Sequence, residues 1–282
     1  MTDLAEPTSE PGSQTLPNLF NQPAAKIAPA RTLFDKRWLG VALIVALLSL
    51  WEASARCRWV TSDYWPPFSL VLRAALYGLG DRDMMNAFLS TISRSALGYA
   101  TGSGGGIILG ILLGVNRWAR YLLLPIVEIA RPIPAPAIVP PLILFLGVDD
   151  ALKIFIVALA CFFPVFTNAF AGVQSIDDTL LQTARTFRVG WLGTLFKVVF
   201  PASLPILTAG LRAAISIALV VGVIVEMIAG ASGIGYFIVQ MQYAMRPDIM
   251  YAAVIYLAAI GYVLNRAFLA LERKSIPWMG MA

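Results

Sequence analysis

Residues 121–146 read YLLLPIVEIARPIPAPAIVPPLILFL, an apolar stretch that is long enough to cross a bilayer but contains six prolines. Four of them fall between Pro132 and Pro140. No regular helix tolerates that density, because proline has no amide hydrogen and clashes with the preceding turn. In lipid the freed backbone groups would lack hydrogen-bond partners. The sequence therefore predicts a broken span that is buried in protein or lines a wet cavity.

The composition of the chain is that of a membrane protein. Of 282 residues, 59% are hydrophobic and 13% are charged, and the mean hydropathy is +0.76. A soluble domain of this size could not bury so much apolar surface. Histidine is absent, and the two cysteines, Cys57 and Cys161, have no metal-ligand spacing. We therefore expect no metal site, no catalytic constellation and no enzyme activity in this chain.

Apolar runs on both sides of the proline-rich stretch predict an all-α membrane protein with six transmembrane helices. The six runs are Trp38–Ala55, Ser95–Asn116, Tyr121–Leu146, Ile154–Ile176, Ile206–Ala229 and Ile249–Leu271. The second run contains the glycine-rich segment Gly102–Gly106, followed by Gly110 and Gly114. No Gly-Lys-Ser/Thr follows, as a phosphate-binding loop would require. We interpret these glycines as small residues that let two membrane helices approach closely.

The segments between the runs predict the domain organisation. Residues 1–35 are rich in proline and polar residues without periodicity, so we expect a disordered cytoplasmic tail. Residues 36–90 contain the first transmembrane helix and an external segment, in which Phe68–Leu79 forms a short amphipathic helix. We expect an external turn at Asp149–Lys153 and an external loop at Gly230–Arg246.

A polar, basic segment, residues 177–197, separates the fourth and fifth runs. Ser175 and Asp178 fit a helix-start pattern, and the residues that follow have amphipathic helical spacing. The predicted apolar face consists of Leu180, Leu181, Ala184 and Phe187, whereas Gln182 and Arg185 lie on another face. This pattern predicts a short amphipathic helix on a cytoplasmic loop.

Charged residues within or near the spans are costly, so they usually face a protein interior or a cavity. The candidates are Arg94, Glu128, Arg131, Arg212 and Glu226. Glu128 and Arg131 are three residues apart and are expected to pair on one helix. Arg94 and Arg212 are expected to extend towards the interfaces. Arg131 begins the proline break, where its guanidinium could guide an anion or brace the kink.

Three parts of the chain together resemble type I ABC-importer permeases. The segment LQTARTFRVGWLGTLFKVVFPASLPILTAGLR, residues 181–212, resembles their cytoplasmic EAA loop. The flanking segments Arg131–Pro134, with Pro140, Pro141 and Gly147, and Glu226–Ile228, with Gly233–Tyr236, are similar to motifs of one subfamily. That subfamily imports nitrate, sulfonates, taurine, bicarbonate and related solutes. The sequence departs from the pattern at Gln182, where relatives carry an acid, and at Arg188, where they carry glycine.

The resemblance covers about residues 85–275 and implies the type I ABC importer permease fold, with a coupling loop at residues 173–205. In such permeases the loop helix docks on an ATPase subunit. The residues implied in coupling are Leu180, Leu181, Gln182, Ala184, Arg185, Phe187 and Arg188. The candidates for the translocation path are Arg131, Pro132, Pro134, Arg212 and Glu226.

The resemblance also implies partners and a location. We expect two ATPase subunits, which bind ATP and magnesium, a second copy of the permease, and a periplasmic or lipid-anchored solute-binding protein. The chain itself is expected to hold no cofactor and to bind no nucleic acid, and to lie in the lipid bilayer of the bacterial inner membrane. A secondary transporter with its own ion coupling is the alternative, although the sequence has no inverted repeat and few intramembrane carboxylates.

The charge distribution predicts the orientation of the chain. Segments that we place in the cytoplasm hold twelve Lys and Arg residues, against six in segments outside, so both termini should be cytoplasmic. Reporter fusions at residues 30 and 280 should both give a cytoplasmic signal. An external signal at either position would contradict this orientation.

Overall fold

A computed structural model describes residues 36–275, so the predicted tail at residues 1–35 lies outside the described residues. The described helices, with the names used below, are α1 (Lys36–Arg56), α2 (Phe68–Gly78), α3 (Arg82–Val115), α4 (Arg117–Ala130), α5 (Val139–Leu146), α6 (Asp150–Gln174), α7 (Asp178–Thr186), α8 (Trp191–Thr194), α9 (Phe200–Ala229), α10 (Ile234–Tyr243) and α11 (Pro247–Ser275). The chain divides at Leu47 into a small first unit and a larger second unit. Of the first unit the structure describes only the beginning of α1, whose side chains from Trp38 onward are exposed.

Within the described residues, five helices are long and apolar enough to cross a membrane, and the bent pair α4 and α5 makes a sixth span. The prediction of an all-α membrane protein with six spans is thereby confirmed. The second span is longer than predicted, because polar residues from Arg82 onward continue the helix on its N-terminal side. The fifth span is also longer, since the chain is helical from Trp191 to Ala229 with a π-helical turn at Leu195–Val199.

The backbones of α3 and α6 approach each other closely along a row of glycines. A Cβ atom on Gly102 would lie 2.1 Å from the carbonyl oxygen of Ala158, and one on Gly110 would lie 2.6 Å from Cβ of Ala169. Gly104 faces away from α6 and has open space around it. The predicted role of these glycines in helix contact is therefore confirmed, and it belongs to one face of α3.

Helix α9 completes the central layer by packing on α6. Side chains of Val157, Cys161 and Val165 are fully buried in one apolar cluster with Ala214 and other residues of α9. Cys161 is a free thiol, so it acts as a small buried hydrophobe. The helices α3, α6 and α9 thus form a bundle from which the other elements extend.

The proline-rich span is broken as predicted. Helix α4 ends at Ala130, and the chain then turns by 84° before it continues through a 3₁₀ turn, Ala135–Ile138, into α5. Several prolines nevertheless lie within helical segments. Pro125 is inside α4, and Pro140 is at the start of α5, where the missing amide hydrogen costs no helical hydrogen bond.

Two short helices, α2 and α10, pack near the start of α3, and only the first of them was predicted. The short helix α2 is confirmed and packs with α10 and α11 around Ala75, Phe237 and Ala252. The predicted loop at Gly230–Arg246 is wrong in part, because Ile234–Tyr243 forms α10. The glycines in this stretch predicted a loop rich in turns, whereas in the structure they form one tight turn before the helix.

The glycine contact can be tested with two alanine substitutions on the same helix. Gly102→Ala places a methyl group against backbone and should destabilise the protein by about 1–3 kcal/mol, as overpacking does. Gly104→Ala meets open space and should leave the melting temperature unchanged or raise it slightly. Thermal unfolding of both purified variants in detergent is the measurement. Equal melting temperatures would show that α3 and α6 are farther apart.

Candidate functional site

Helix α7 lies between the fourth and fifth spans, as the sequence predicts. Its N-cap, however, is Asp177, whose carboxylate accepts the backbone N–H of Thr179 at 2.8 Å. This hydrogen bond lowers the pKa of the Asp177 carboxyl below its ordinary value. The predicted start at Ser175 and Asp178 is wrong, because the Ser175 hydroxyl donates to the carbonyl of Gly172 and belongs to the end of α6.

The four residues predicted to share one apolar face of α7 separate into two environments. Ala184 is 5% exposed and Leu181 is half-buried, so both lie against this chain. Leu180 and Phe187 are exposed, the latter by 77%, and are open to a partner. Gln182 is also exposed. The expectation that Ala184 enters a partner's groove is therefore wrong, since its methyl group already packs inside the permease.

The turn after α7 requires a left-handed residue. Arg188 has φ of 51°, and its N–H donates to the carbonyl of Arg185 at 2.9 Å. The next N–H, that of Val189, reaches back to the carbonyl of Ala184 at 3.0 Å. Such a turn is usually occupied by glycine, because a Cβ atom is disfavoured there. Arg188 stands where the resemblance places a glycine, and it adopts the left-handed conformation that glycine would adopt at lower cost.

A cavity of about 450 Å³ lies between α7, the ends of α3 and α6, and the segment formed by α8 and the π-helical turn that follows it. Arg120 forms part of its wall and is fixed in place by the end of α3. Its Nε donates to the carbonyl of Leu113 at 3.0 Å and its Nη2 to that of Gly114 at 2.7 Å. The guanidinium also lies over the ring of Phe170 on α6, 5.3 Å from the centroid. Arg120 thus connects the ends of two spans directly beside α7.

The path candidates occupy different places. Arg131, Pro132 and Pro134 lie together on the exposed side of the proline break. No ion pair joins Glu128 to Arg131 in the described part of the chain, so the predicted pairing is wrong. Because Glu128 is exposed and Arg131 ends the helix, neither side chain is held against the other.

Arg212 and Glu226 are held by partners in the chain. Arg212 forms an ion pair with Glu272, which lies near the C-terminal end of α11, and its own side chain is 42% exposed, so its extension towards an interface stays a prediction. Glu226 is 1% exposed and lies inside the bundle. Its burial does not support a place on the wall of a path in this conformation.

The carboxylate of Glu226 is at the centre of a buried cluster at the N-terminal end of α6. It accepts from Arg94 Nη1 at 3.0 Å, from the Thr91 hydroxyl at 2.7 Å and from the backbone N–H of Gly235 at 3.1 Å. The expected interfacial position of Arg94 is therefore wrong, because the acid across the bundle holds its guanidinium inside. A buried carboxylate with three such donors has the partners that compensate for its desolvation.

The turn that follows α9 is wrapped around this carboxylate. Gly233 has φ of +108°, and a Cβ atom there would lie 2.1 Å from Cδ of Glu226. At Gly235 a Cβ atom would lie 2.3 Å from the carbonyl oxygen of Val223. Only glycine fits both positions, which gives a physical reason for the spacing between Glu226 and Gly233–Gly235.

Two further residues join the cluster from the start of α6. Arg94 Nε lies 2.8 Å from Oδ1 of Asp150, and Lys153 Nζ lies 4.0 Å from the same oxygen. The predicted external turn at Asp149–Lys153 is thus wrong, because α6 begins at Asp150 and Lys153 is 2% exposed within it. The sequence carried one indication of this ion pair, because Lys153 lies three residues after Asp150 at the start of an apolar helix. Ser232, in the turn after α9, accepts a hydrogen bond on its hydroxyl from Arg94 Nη2 at 2.7 Å. Nothing in the sequence indicated that Thr91 or Ser232 would join the cluster.

Comparison with known proteins identifies the family of this chain. Residues 106–276 match the family described as binding-protein-dependent transport system inner membrane component, and they include α7 and Glu226. The chain belongs to this family. It is a multi-pass membrane permease rather than an enzyme, and the alternative of a secondary transporter is not supported.

Relatives match along most of the chain. A permease protein of Bacillus subtilis strain 168, SsuC, named for aliphatic sulfonates transport, is 30% identical over 92% of this chain and 93% of its own length. The taurine transport system permease protein TauC of Escherichia coli K12 is 28% identical over 86% of this chain and 90% of its own length.

A solved structure of the MetNI methionine ABC transporter, in an inward-facing conformation, gives the same fold. It superposes with a TM-score of 0.59 and 18% sequence identity over 66% of this chain and 93% of that chain. The predicted type I ABC importer permease fold is confirmed by this likeness.

Two glycine substitutions, one at the left-handed residue after α7 and one within the helix, should change the hydrogen exchange of α7 in opposite directions. Arg188→Gly removes a strain of roughly 1–2 kcal/mol and should slow hydrogen exchange of the amides of α7. Arg185→Gly, within the helix, should speed exchange because glycine is less favourable in a helix by about 1 kcal/mol. Faster exchange in the Arg188→Gly protein would contradict the left-handed turn.

Proposed function

We propose that this permease imports a small organic sulfonate, such as taurine or an alkanesulfonate, delivered by an external binding protein. The observation that carries the proposal is helix α7, which presents exposed Leu180 and Phe187 between two spans of a chain in this family. The relatives named for sulfonate and taurine transport support this solute class, because the similarity extends over most of both chains.

The proposed complex contains two permeases and two ATPase subunits that bind ATP and magnesium, with α7 and both termini on the cytoplasmic side. The broken span supports a second permease copy. Leu144 and Phe145 on α5 are among the most exposed apolar side chains, and the exposed residues Arg131, Pro132 and Pro134 precede them in the same broken span. Freed backbone groups at the break need protein or water nearby, which a two-fold pair enclosing a wet path would supply.

The coupling mechanism follows from the two sides of α7. Outside, Leu180 and Phe187 are available to enter a groove on the ATPase, and burial of each is worth about 1.5–3 kcal/mol. Inside, Ala184 is already packed within the permease, and Leu181 of the same helix lines the cavity whose wall contains Arg120. A displacement of the ATPase groove would therefore move α7 and the span ends together.

In this proposal the binding protein selects the solute, mainly before the solute reaches the permease. Arg131 is the cation that the proline break offers to a sulfonate group, which accepts hydrogen bonds from a guanidinium in a fork geometry. Transport assays in proteoliposomes containing the full complex decide the solute class. Accumulation of taurine or an alkanesulfonate supports the proposal, whereas uptake of only nitrate or a carboxylate would refute the sulfonate class.

The docking face of α7 can be tested through ATP hydrolysis stimulated by the binding protein. Phe187→Asp should abolish stimulation, because it places a charge in an apolar groove, while Phe187→Leu should retain it. Gln182→Ala should have little effect, since a neutral hydrogen bond is roughly half as strong as a charge-assisted one.

The inner face needs a different measurement. Ala184→Asp should lower the thermal stability of the permease itself, because its side chain would be buried in this chain. Normal stimulation in the Phe187→Asp complex, or normal stability of Ala184→Asp, would show that the two faces of α7 have been assigned incorrectly.

A further inference from the structure

The cavity beside α7 lies at the depth where the membrane spans end. Its walls include Gly114 at the end of α3 and Gln174 at the end of α6. A further wall runs from Trp191 to Val199, at the start of a helical stretch that is apolar and long enough to cross a membrane. Its volume of about 450 Å³ is in the range of small-molecule sites. The cavity therefore lies at the interface between bilayer and water.

Two arginines in the wall have no acidic partner among the described residues. Arg120 donates to the carbonyls of Leu113 and Gly114, and Gln174, with its amide in the orientation that satisfies both side chains, accepts from Nη1 at 3.0 Å. Arg185, in the last turn of α7, is exposed. Neither arginine belongs to an ion pair in the described part of the chain. Arg120 thus supplies a fixed charge, and Arg185 a guanidinium that is open to a ligand.

The charge of the whole lining favours an anion. Among the described residues Asp178 is the one acid in the wall, so two arginines and one aspartate give a net charge of +1. The lining comes entirely from residues 114–120 and 173–199, which contain five Lys and Arg residues and two Asp residues, a difference of +3. Basic pockets between membrane helices on the cytoplasmic side are typical sites for phospholipid head groups.

Large apolar side chains are exposed on the same segments as the cavity wall. Trp191 lines the cavity, and Leu192 and Phe196 follow it on the same short helical segment, all three exposed. Trp118, two residues before Arg120, is exposed as well. Tryptophan at the end of a membrane span typically lies at the level of the lipid head groups. Acyl chains would cover this apolar surface, whereas a water-soluble anion would leave it bare.

We propose that the cavity binds the phosphate group of an anionic phospholipid, such as phosphatidylglycerol. Arg185 contacts the phosphate, and Arg120 provides the fixed charge behind it. A head group in this place touches α7 and the ends of α3 and α6 together, so it keeps α7 positioned against the spans. The role of this lipid in coupling rests on the proposed function of α7, whereas its binding does not.

The binding test uses the permease with its ATPase subunits in detergent, and native mass spectrometry counts the bound lipid as phosphatidylglycerol is titrated. Arg185→Gln should weaken binding about fivefold, the usual contribution of one basic side chain near an anionic head group. Arg185→Lys keeps the charge and should bind as wild type does. Arg273→Gln, at an exposed position near the end of α11, is the matched control and should also bind as wild type does.

The acid in the wall provides a variant with the opposite sign. Asp178→Asn removes the negative charge from the wall and should tighten the binding of phosphatidylglycerol about fivefold. Asp178 is exposed, so the change leaves the packing of the permease intact. Phosphatidylcholine with the same acyl chains should bind more weakly than phosphatidylglycerol to the wild-type complex, because its head group has no net charge.

Three outcomes would overturn the lipid site. Wild-type affinity in both Arg185→Gln and Asp178→Asn would show that the cavity does not hold the lipid. An equal loss of binding in Arg273→Gln and Arg185→Gln would show general attraction to a basic surface. Displacement of phosphatidylglycerol by an equal concentration of inorganic phosphate or taurine would show that the cavity takes a water-soluble anion.

A second measurement tests the positioning of α7. In phosphatidylcholine vesicles, ATP hydrolysis stimulated by the binding protein should be faster when phosphatidylglycerol is added. The ratio of the two rates should fall towards one in Arg185→Gln and be kept in Arg185→Lys. Because each ratio compares two lipids within one variant, any direct contact of Arg185 with the ATPase cancels. Equal ratios in wild type and Arg185→Gln would overturn the role of the lipid in coupling.

The two measurements also separate the lipid site from the proposed function. A wild-type complex that no binding protein stimulates in either lipid would reject the importer function. The mass measurements would still decide the lipid site, because they need neither the binding protein nor transport.

Discussion

The close approach of α3 and α6 is the constraint on which the rest of the structure depends. Lipid gives helices no hydrophobic reason to associate, so their contact must come from packing at short range. Backbone-to-backbone contact is possible only where side chains are missing, as at Gly102 and Gly110. Once these two helices are fixed, α9 packs on α6 and its C-terminus comes beside the start of α3. That geometry brings Arg94 and Glu226 together.

Polar chemistry is concentrated at the two ends of this bundle. At one end Arg120 connects α3 to α6 beside α7, and at the other Glu226 is surrounded by donors from α3 and from the turn after α9. The apolar middle, with residues such as Val157 and Ala214, transmits displacement without its own polar contacts. A rigid bundle with distinct contacts at each end is suited to alternating access, because a movement at α7 must be met at the far end.

The broken span has the opposite character. The central helices pack closely. In contrast, α4 and α5 meet at 84° and leave large apolar side chains such as Leu144 exposed. The prolines prevent continuous hydrogen bonding there, and the proposed second permease would place protein around the freed backbone groups. The bundle therefore holds the fold, whereas the broken span leaves large apolar side chains exposed.

The sequence by itself determined the class of fold, the broken span and the amphipathic helix α7, because these depend on local composition and periodicity. It also indicated the small-residue contact of α3. Only the tertiary structure decided which residues of a helix pack against the protein and which stay exposed. Ala184 and Phe187 have equivalent apolar positions in the pattern, yet one packs inward and the other is exposed. Likewise Lys153 has the sequence context of a surface turn, yet it is buried within the bundle and its ammonium contacts Ser232, which follows a different helix. Pairings between residues more than 70 positions apart leave no local periodicity, so they follow from the packing of helices alone.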